Sequence, residues 1–221
     1  MIQEQWTAVD EHLGSLLVQD DEALQNALKT SERAGLPPIQ VSPVQGKWLH
    51  LLARSIRARR VLEIGTLGAY STIWLARALD AGGRLVTLEC EQLHADVARA
   101  NIRAAGLDSV IDMRVGAALE TLPVLVSERA GPFDLIFIDA DKVNTPSYFQ
   151  WSLKLSRSGT VIMVDNVVRK GAIADPSSED PAVQAMQRFL TMLGAEPRVS
   201  ATALQMVGAK GYDGFVMALV L

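Results

Sequence analysis

Two apolar runs of this 221-residue chain end in side chains able to hold a hard cation. Phe133–Ile138 leads into Asp139-Ala140-Asp141-Lys142, and Thr160–Val164 leads into Asp165-Asn166. Two carboxylates and an amide oxygen suit Mg²⁺, Mn²⁺ or Ca²⁺ rather than zinc. If the two runs are neighbouring strands, about 5 Å apart, Asp139, Asp165 and Asn166 converge on one point. Asp and Asn also favour turns and strand-end caps, but three oxygen ligands at two adjacent strand ends favour a cation. Lys142 lies three residues beyond Asp139. Beside a dication a lysine can act as a general base; from the residues alone, an exposed surface lysine is the better reading. The three histidines, His12, His50 and His94, are scattered over predicted helices. They lack zinc-like spacing and read as surface or core residues without a catalytic role.

A second stretch points to a nucleotide-like ligand. In Arg59–Ser71, RRVLEIGTLGAYS, the apolar Val61, Leu62 and Ile64 predict a strand. Gly65 and Gly68 follow, and Ser71 opens a helical pattern with Ile73, Leu75, Ala76 and Leu79. Strand, glycine turn and helix form the first crossover of a nucleotide-binding α/β domain. A glycine lets backbone approach a ligand closely, and a helix N-terminus offers free N–H groups to an anion. The next predicted strand, Arg84–Glu89, ends in an acid, near the spacing of about 20 residues at which a carboxylate meets a ribose diol. The bland alternative is a tight turn that binds nothing.

The elements needed to position these residues follow from periodicity. Residues 3–34 read as two helices, stopped by Gly35 and Pro37-Pro38, and Pro43–Ile56 as a third. Strands at about 60–64, 84–89, 110–115, 133–138 and 160–164 then alternate with helices at about 70–79, 92–105, 117–127, 146–155 and 181–193, the last followed by Gly194. Runs at about 198–206 and 215–221 are separated only by the Gly208–Gly214 loop, too short for a helical crossover, so they form a hairpin. The expected architecture is α/β and Rossmann-like: a seven-stranded mixed sheet with a C-terminal antiparallel hairpin and extra N-terminal helices. It is read as a single domain over 1–221, with 1–56 a helical cap and 57–221 the core. In such a sheet the ligand sits beyond the carboxyl ends of the strands.

Bulk composition narrows the partners. Net charge is −4, a poor match to nucleic acid, and the Arg54, Arg57, Arg59 and Arg60 cluster reads as a solvated helix end. No apolar run approaches the roughly 18 residues of a membrane helix. The single cysteine, Cys90, allows no internal disulfide, and with no secretory leader visible a cytoplasmic location is expected. The N-terminal helices carry apolar Trp6, Val9, Leu13, Leu16 and Leu17 beyond what the sheet requires, so they are expected to cover the ligand, to form a homodimer surface, or both.

The stretches VLEIGTLGAYS, LVTLECE, FIDADK, YFQWSLKLSRSGTVIMVDNVVRKG and GYDGF resemble the class I S-adenosylmethionine-dependent O-methyltransferases. They are most similar to the cation-dependent branch of catechol and caffeoyl-CoA O-methyltransferases and their bacterial homologues. The likeness runs from about Val41 to the C-terminus, and FIDADK with VDNVVRKG is its most specific part. The resemblance implies S-adenosyl-L-methionine and Mg²⁺ (or Mn²⁺ or Ca²⁺) as cofactors and a vicinal-dihydroxy phenolic acceptor. It implies that Glu63, Gly65 and Thr66 pass by the methionine part of the donor, that Ser71 holds its carboxylate and that Glu89 binds its ribose. Cys90 and Ala118 would meet the adenine, and Val41 would line the entrance. Asp139, shared between donor and metal sites, would bind the cation with Asp165 and Asn166, and Lys142 would be the general base. Where the family often has Gly-Tyr-Ser, this chain has Ala69-Tyr70-Ser71, and Gly68 is expected to take over the backbone freedom. Asp213 is a candidate acid for the second hydroxyl, or a turn residue. Rival readings are an NAD-dependent oxidoreductase, which leaves Asp139, Asp165 and Asn166 unexplained, an RNA methyltransferase, which needs a basic face, and a non-catalytic cofactor-binding homologue.

Overall fold

In a computed structural model, which describes residues 2–19 and 21–221, the β-branched and aliphatic runs form the centre of the sheet. Strands β1 (Arg60–Ile64), β2 (Arg84–Glu89), β3 (Ile111–Val115), β4 (Leu135–Ile138) and β5 (Val161–Asp165) are parallel, and β7 (Gly211–Val220) then β6 (Val199–Gly208) close one edge. The order is β3-β2-β1-β4-β5-β7-β6, with β7 antiparallel to both β5 and β6. Every residue of β4 and β5 is buried, because helices cover both faces of a parallel sheet and leave no solvated side.

Alternation along the strands divides the core in two. Val61, Leu85, Leu135, Phe137, Val161 and Met163 point to one face, packed by α2 (Glu22–Arg33), α3 (Pro43–Ser55), α4 (Tyr70–Ala76) and α5 (Gln92–Ala104). Leu62, Ile64, Ile136, Ile138, Ile162 and Val164 point to the other, packed by α6 (Ala118–Ser127), α7 (Thr145–Lys154) and α8 (Pro181–Ala195).

The structure differs from the sequence reading at three ends. Helix α8 runs through Gly194 and stops at Glu196, which is extended at φ −84° and ψ 107°, so the glycine is not the terminator. The hairpin pairs Gly208 with Gly211, so its turn is only Ala209-Lys210 and the expected loop residues Tyr212 and Asp213 belong to β7. Phe133 and Asp134 precede β4: Phe133 N–H donates to Leu155 O outside the sheet, while Asp134 makes the flanking bonds of the ladder, donating to Arg60 O and accepting from Val161 N.

Helix α1 (Ile2–Leu17) buries none of its side chains. It is tied to the hairpin tip by polar contacts, Gln3 Nε2 donating to Gly208 O at 3.0 Å and Ala209 N donating to Asp10 Oδ2 at 2.8 Å. Ile2, Leu16 and Leu17 are each more than 60 % exposed. Among the described residues, no helix is long and apolar enough to cross a membrane.

Candidate active site

The carboxyl ends of β1, β2, β4 and β5 open into a cavity of about 580 Å³, roofed by Ile39–Val41 from the loop before α3. Its floor begins at Gly65. This residue sits at φ +102°, and a Cβ there would lie 2.1 Å from the carbonyl oxygen of Asp139, so only glycine lets the β1 turn cross the end of β4. Gly68 serves a different purpose from the one expected. Its backbone is not left-handed; the positive φ values fall on Leu67 (48°) and Ala69 (67°). What Gly68 requires is space, since a Cβ would approach Ser31 Oγ of α2 to 2.0 Å. The side-chain amide of Asn101 fixes the same turn by donating to Gly68 O at 2.9 Å.

Glu89 binds this turn to β2. Its Oε2 accepts from Leu67 N at 2.8 Å and from Thr66 N at 3.2 Å, and its Oε1 accepts from Glu91 N at 2.9 Å. His94 Nδ1 lies 3.5 Å from Oε1. Cys90, Ala118 and Ser71 line the same wall. Glu63 stands behind it, fully buried, and accepts from Ser71 Oγ at 2.7 Å, Thr72 Oγ1 at 2.5 Å and Thr87 Oγ1 at 2.7 Å. Burial pushes its carboxyl up to about 7, with repulsion from Asp139 adding to the rise and the three hydroxyls opposing it.

On the opposite wall, the register pairs Ile138 with Val164, so the residues that follow, Asp139 and Asp165, meet. Lys142 Nζ donates to Asp139 Oδ1 at 2.9 Å. Asp165 is 4 % exposed and accepts from Gln45 Nε2 at 2.7 Å and from Asn166 N at 2.9 Å. Its carboxyl is raised above the usual range, by burial first and by the Asp139 charge second. Asn166 is left-handed, at φ 59°, and lines the cavity with Asp139 and Lys142. Among the described residues no three His, Cys, Asp or Glu side chains cluster as a metal set; the donors here are two carboxylates and an amide. That set still fits a hard dication. Its oxygens are the ligands such ions prefer, and the mutual repulsion of the carboxylates is what a cation relieves.

Four lining or supporting residues escaped the sequence reading. Gln45 lies in an S-x-x-Q pattern with Ser42, which reads as a capping box. Only half of the box forms: Gln45 N donates to Ser42 Oγ at 3.2 Å, while the amide side chain reaches Asp165 instead. His94, read as non-functional, is on the first turn of α5 and faces Glu89; an acid ending a strand next to the start of the following helix was the available signal. The Tyr148 hydroxyl donates to Asp141, which also accepts from Asn144 N at 3.0 Å. Arg169 lines the cavity beside Asn166. Asp213 is neither a turn residue nor free to meet a ligand hydroxyl by its Oδ1, which accepts from Val168 N at 2.9 Å and Arg169 N at 3.0 Å.

Comparison with known proteins gives a consistent set of relatives. The O-methyltransferase family model matches residues 15–219. The chain is 54 % identical over 213 residues to a catechol O-methyltransferase of Niastella koreensis, covering 96 % of each chain. It is 55 % identical over 212 residues to a catechol O-methyltransferase of Mycobacterium tuberculosis, covering 96 % of this chain and 94 % of that one. Among solved structures, an O-methyltransferase from Bacillus cereus in complex with SAH superposes with a TM-score of 0.98 at 56 % identity, covering 99 % of this chain and all of the other. TomG of Streptomyces achromogenes, an O-methyltransferase involved in tomaymycin synthesis and solved with SAM, gives 0.96 at 51 % identity, covering 100 % of this chain and 99 % of that one.

The buried Glu63 generates a prediction about stability. Its folded carboxyl titrates near 7 and its ordinary value is 4.5, so between these pH values the folded chain holds a proton that the unfolded chain has released. The resulting stability is fully present below about 4.5 and is lost as pH rises through about 7. In urea titrations the unfolding free energy of the wild type should fall between pH 5.5 and 8.5. Glu63→Gln should flatten that fall by about 1–3 kcal/mol. An identical fall in both proteins would assign the pH dependence to another group.

Proposed function

The chain belongs to the S-adenosylmethionine-dependent O-methyltransferase family, and from that premise we propose that it methylates one hydroxyl of a vicinal-dihydroxy aromatic molecule with the help of a divalent cation. The observation that carries this reading is one cavity lined at one end by the glycine turn and Glu89, and at the other by Asp139, Lys142 and Asn166. The names of the catechol O-methyltransferase relatives support the acceptor class.

When bound, S-adenosylmethionine supplies an electrophilic methyl group and the cation supplies Lewis acidity that acidifies a neighbouring hydroxyl. The chain's own residues position both. Glu89 uses the lone pairs of Oε2 on the turn amides and one of Oε1 on Glu91 N, which leaves one on Oε1 for a ribose hydroxyl. Gly65 and Thr66 would pass along the methionine part, and Ser71, whose hydroxyl is held by Glu63, would meet its carboxylate with its backbone N–H in the first turn of α4. Cys90 and Ala118 border the adenine, and Val41 covers the entrance. Asp139, Asp165 and Asn166 would hold the cation, with Gln45 orienting Asp165. Lys142 Nζ takes the proton from the acceptor hydroxyl, and its bond to Asp139 keeps the amine at that spot. Two reactants fixed side by side in a covered cavity account for much of the expected acceleration.

Activity on catechol should vanish in EDTA and return with Mg²⁺ or Mn²⁺. Asp139→Ala should abolish turnover while leaving donor affinity within a few fold, and Lys142→Ala should cost about 10²–10⁴-fold at neutral pH and less at high pH, where hydroxide replaces the base. A monophenol should be inert. Full methylation of a monophenol in EDTA would refute the mechanism.

We also propose a homodimer built on α1, whose Ile2, Leu16 and Leu17 stand exposed on a helix with no buried residue. Light scattering at micromolar concentration should give twice the chain mass; a monomer mass would exclude it.

A further inference from the structure

Arg169 presents a cation to the acceptor end of the cavity, and its side chain has no hydrogen-bond or ion-pair partner among the described residues. It lines the wall with Asn166, Asp139 and Lys142. Its Nε is shut off from water and has no hydrogen-bond partner among the described residues. Buried N–H groups are rarely left unmade, because desolvation then goes uncompensated. The neighbouring charges offer no relief. Asp139 is taken by Lys142 at 2.9 Å, Asp141 by Tyr148 and Asn144 N, and Asp213 by backbone amides.

The backbone adds an independent observation. Arg169, Lys170 and Gly171 are left-handed in succession, at φ 53°, 56° and 90°. Two of the three carry a Cβ and are strained there. Asp213 holds the turn through Val168 N and Arg169 N, and Gly171 N donates to Val168 O at 3.0 Å. Strain of this kind survives where the surroundings over-determine it, and it concentrates at ligand sites. Here it sets Arg169 three residues beyond Asn166, in the lining of the same cavity.

We infer that Arg169 is a specificity residue that receives a carboxylate borne by the aromatic acceptor, so that carboxylated vicinal diols are preferred over neutral or cationic ones. A guanidinium is suited to this because its planar donors match a carboxylate and stay charged at any relevant pH. The assignment rests on the acceptor reading above, and it names a group that reading leaves open.

Titration calorimetry on the protein saturated with S-adenosylhomocysteine and Mg²⁺ tests it with three ligands: 3,4-dihydroxybenzoate, its methyl ester and catechol. The wild type should bind the acid about ten-fold or more tightly than the ester or catechol. Arg169→Leu should reduce that acid-to-ester ratio by about ten-fold or more, and Arg169→Lys should keep part of it. Equal affinity of the wild type for acid and ester overturns the inference, and needs no variant to fold. So does binding of neither ligand, or an unchanged ratio in Arg169→Leu. A parallel fall in S-adenosylhomocysteine affinity as large as that for the acid places the guanidinium on the donor, and also overturns it. Turnover measured alongside separates the two readings: acid preference without any methylation refutes methyl transfer alone, whereas methylation without acid preference refutes the role of Arg169 alone.

Discussion

Two carboxylates, Asp139 and Asp165, are forced together at the ends of adjacent parallel strands, and the surrounding structure is arranged to keep them there. The β4–β5 register sets them side by side in space, and burial of Asp165 at 4 % exposure removes the water that would screen them. Burial and like charge both oppose ionisation. The chain answers with donors from three elements: Lys142 from the loop after β4, Gln45 from α3 and Asn166 N from the end of β5. Those donors satisfy part of the carboxylates' capacity and leave a cluster of hard oxygens at the cavity edge.

The same strand end is joined to the glycine-turn half of the cavity. The backbone carbonyl of Asp139 lies where a Cβ of Gly65 would be, so the glycine turn rests directly on the residue that bears the acid. Glu63, behind Ser71, feels the charge of Asp139 across this junction. Glu89 anchors the turn from the other side through Thr66 N and Leu67 N. On the proposed reading, a donor and an acceptor seated against these two halves would share one floor, which is what a transfer reaction limited by alignment needs.

Much of this was legible in the sequence because parallel strands write themselves as unbroken apolar runs, and the residues after them fall at one edge of the sheet. The placement of the glycine turn, Glu89, Asp139, Asp165 and Asn166 at one edge of the sheet was legible in that way. The missed residues are those whose local pattern has another meaning. Gln45 looks like half of a capping box, and its side chain goes to a partner 120 positions away. His94 and Tyr148 lie on amphipathic helices where a ring is more often packing than function. Arg169 depends on a succession of left-handed residues that no residue-type preference announces, and Asp213 acts through the amides of that distant turn. Gly68 shows the converse error: a glycine was read as backbone freedom where the constraint is contact with Ser31.

The central claim is that Asp139 and Asp165 form a cation site together, and binding of Mn²⁺ followed by loss of its free-ion paramagnetic resonance signal tests it without any reaction. With S-adenosylhomocysteine present, the wild type should bind about one Mn²⁺ per chain, displaceable by Mg²⁺, and Asp165→Asn should weaken binding by about ten-fold or more. Stoichiometric binding that is unaffected by Asp165→Asn, or no binding to the wild type at millimolar Mn²⁺, would contradict the account.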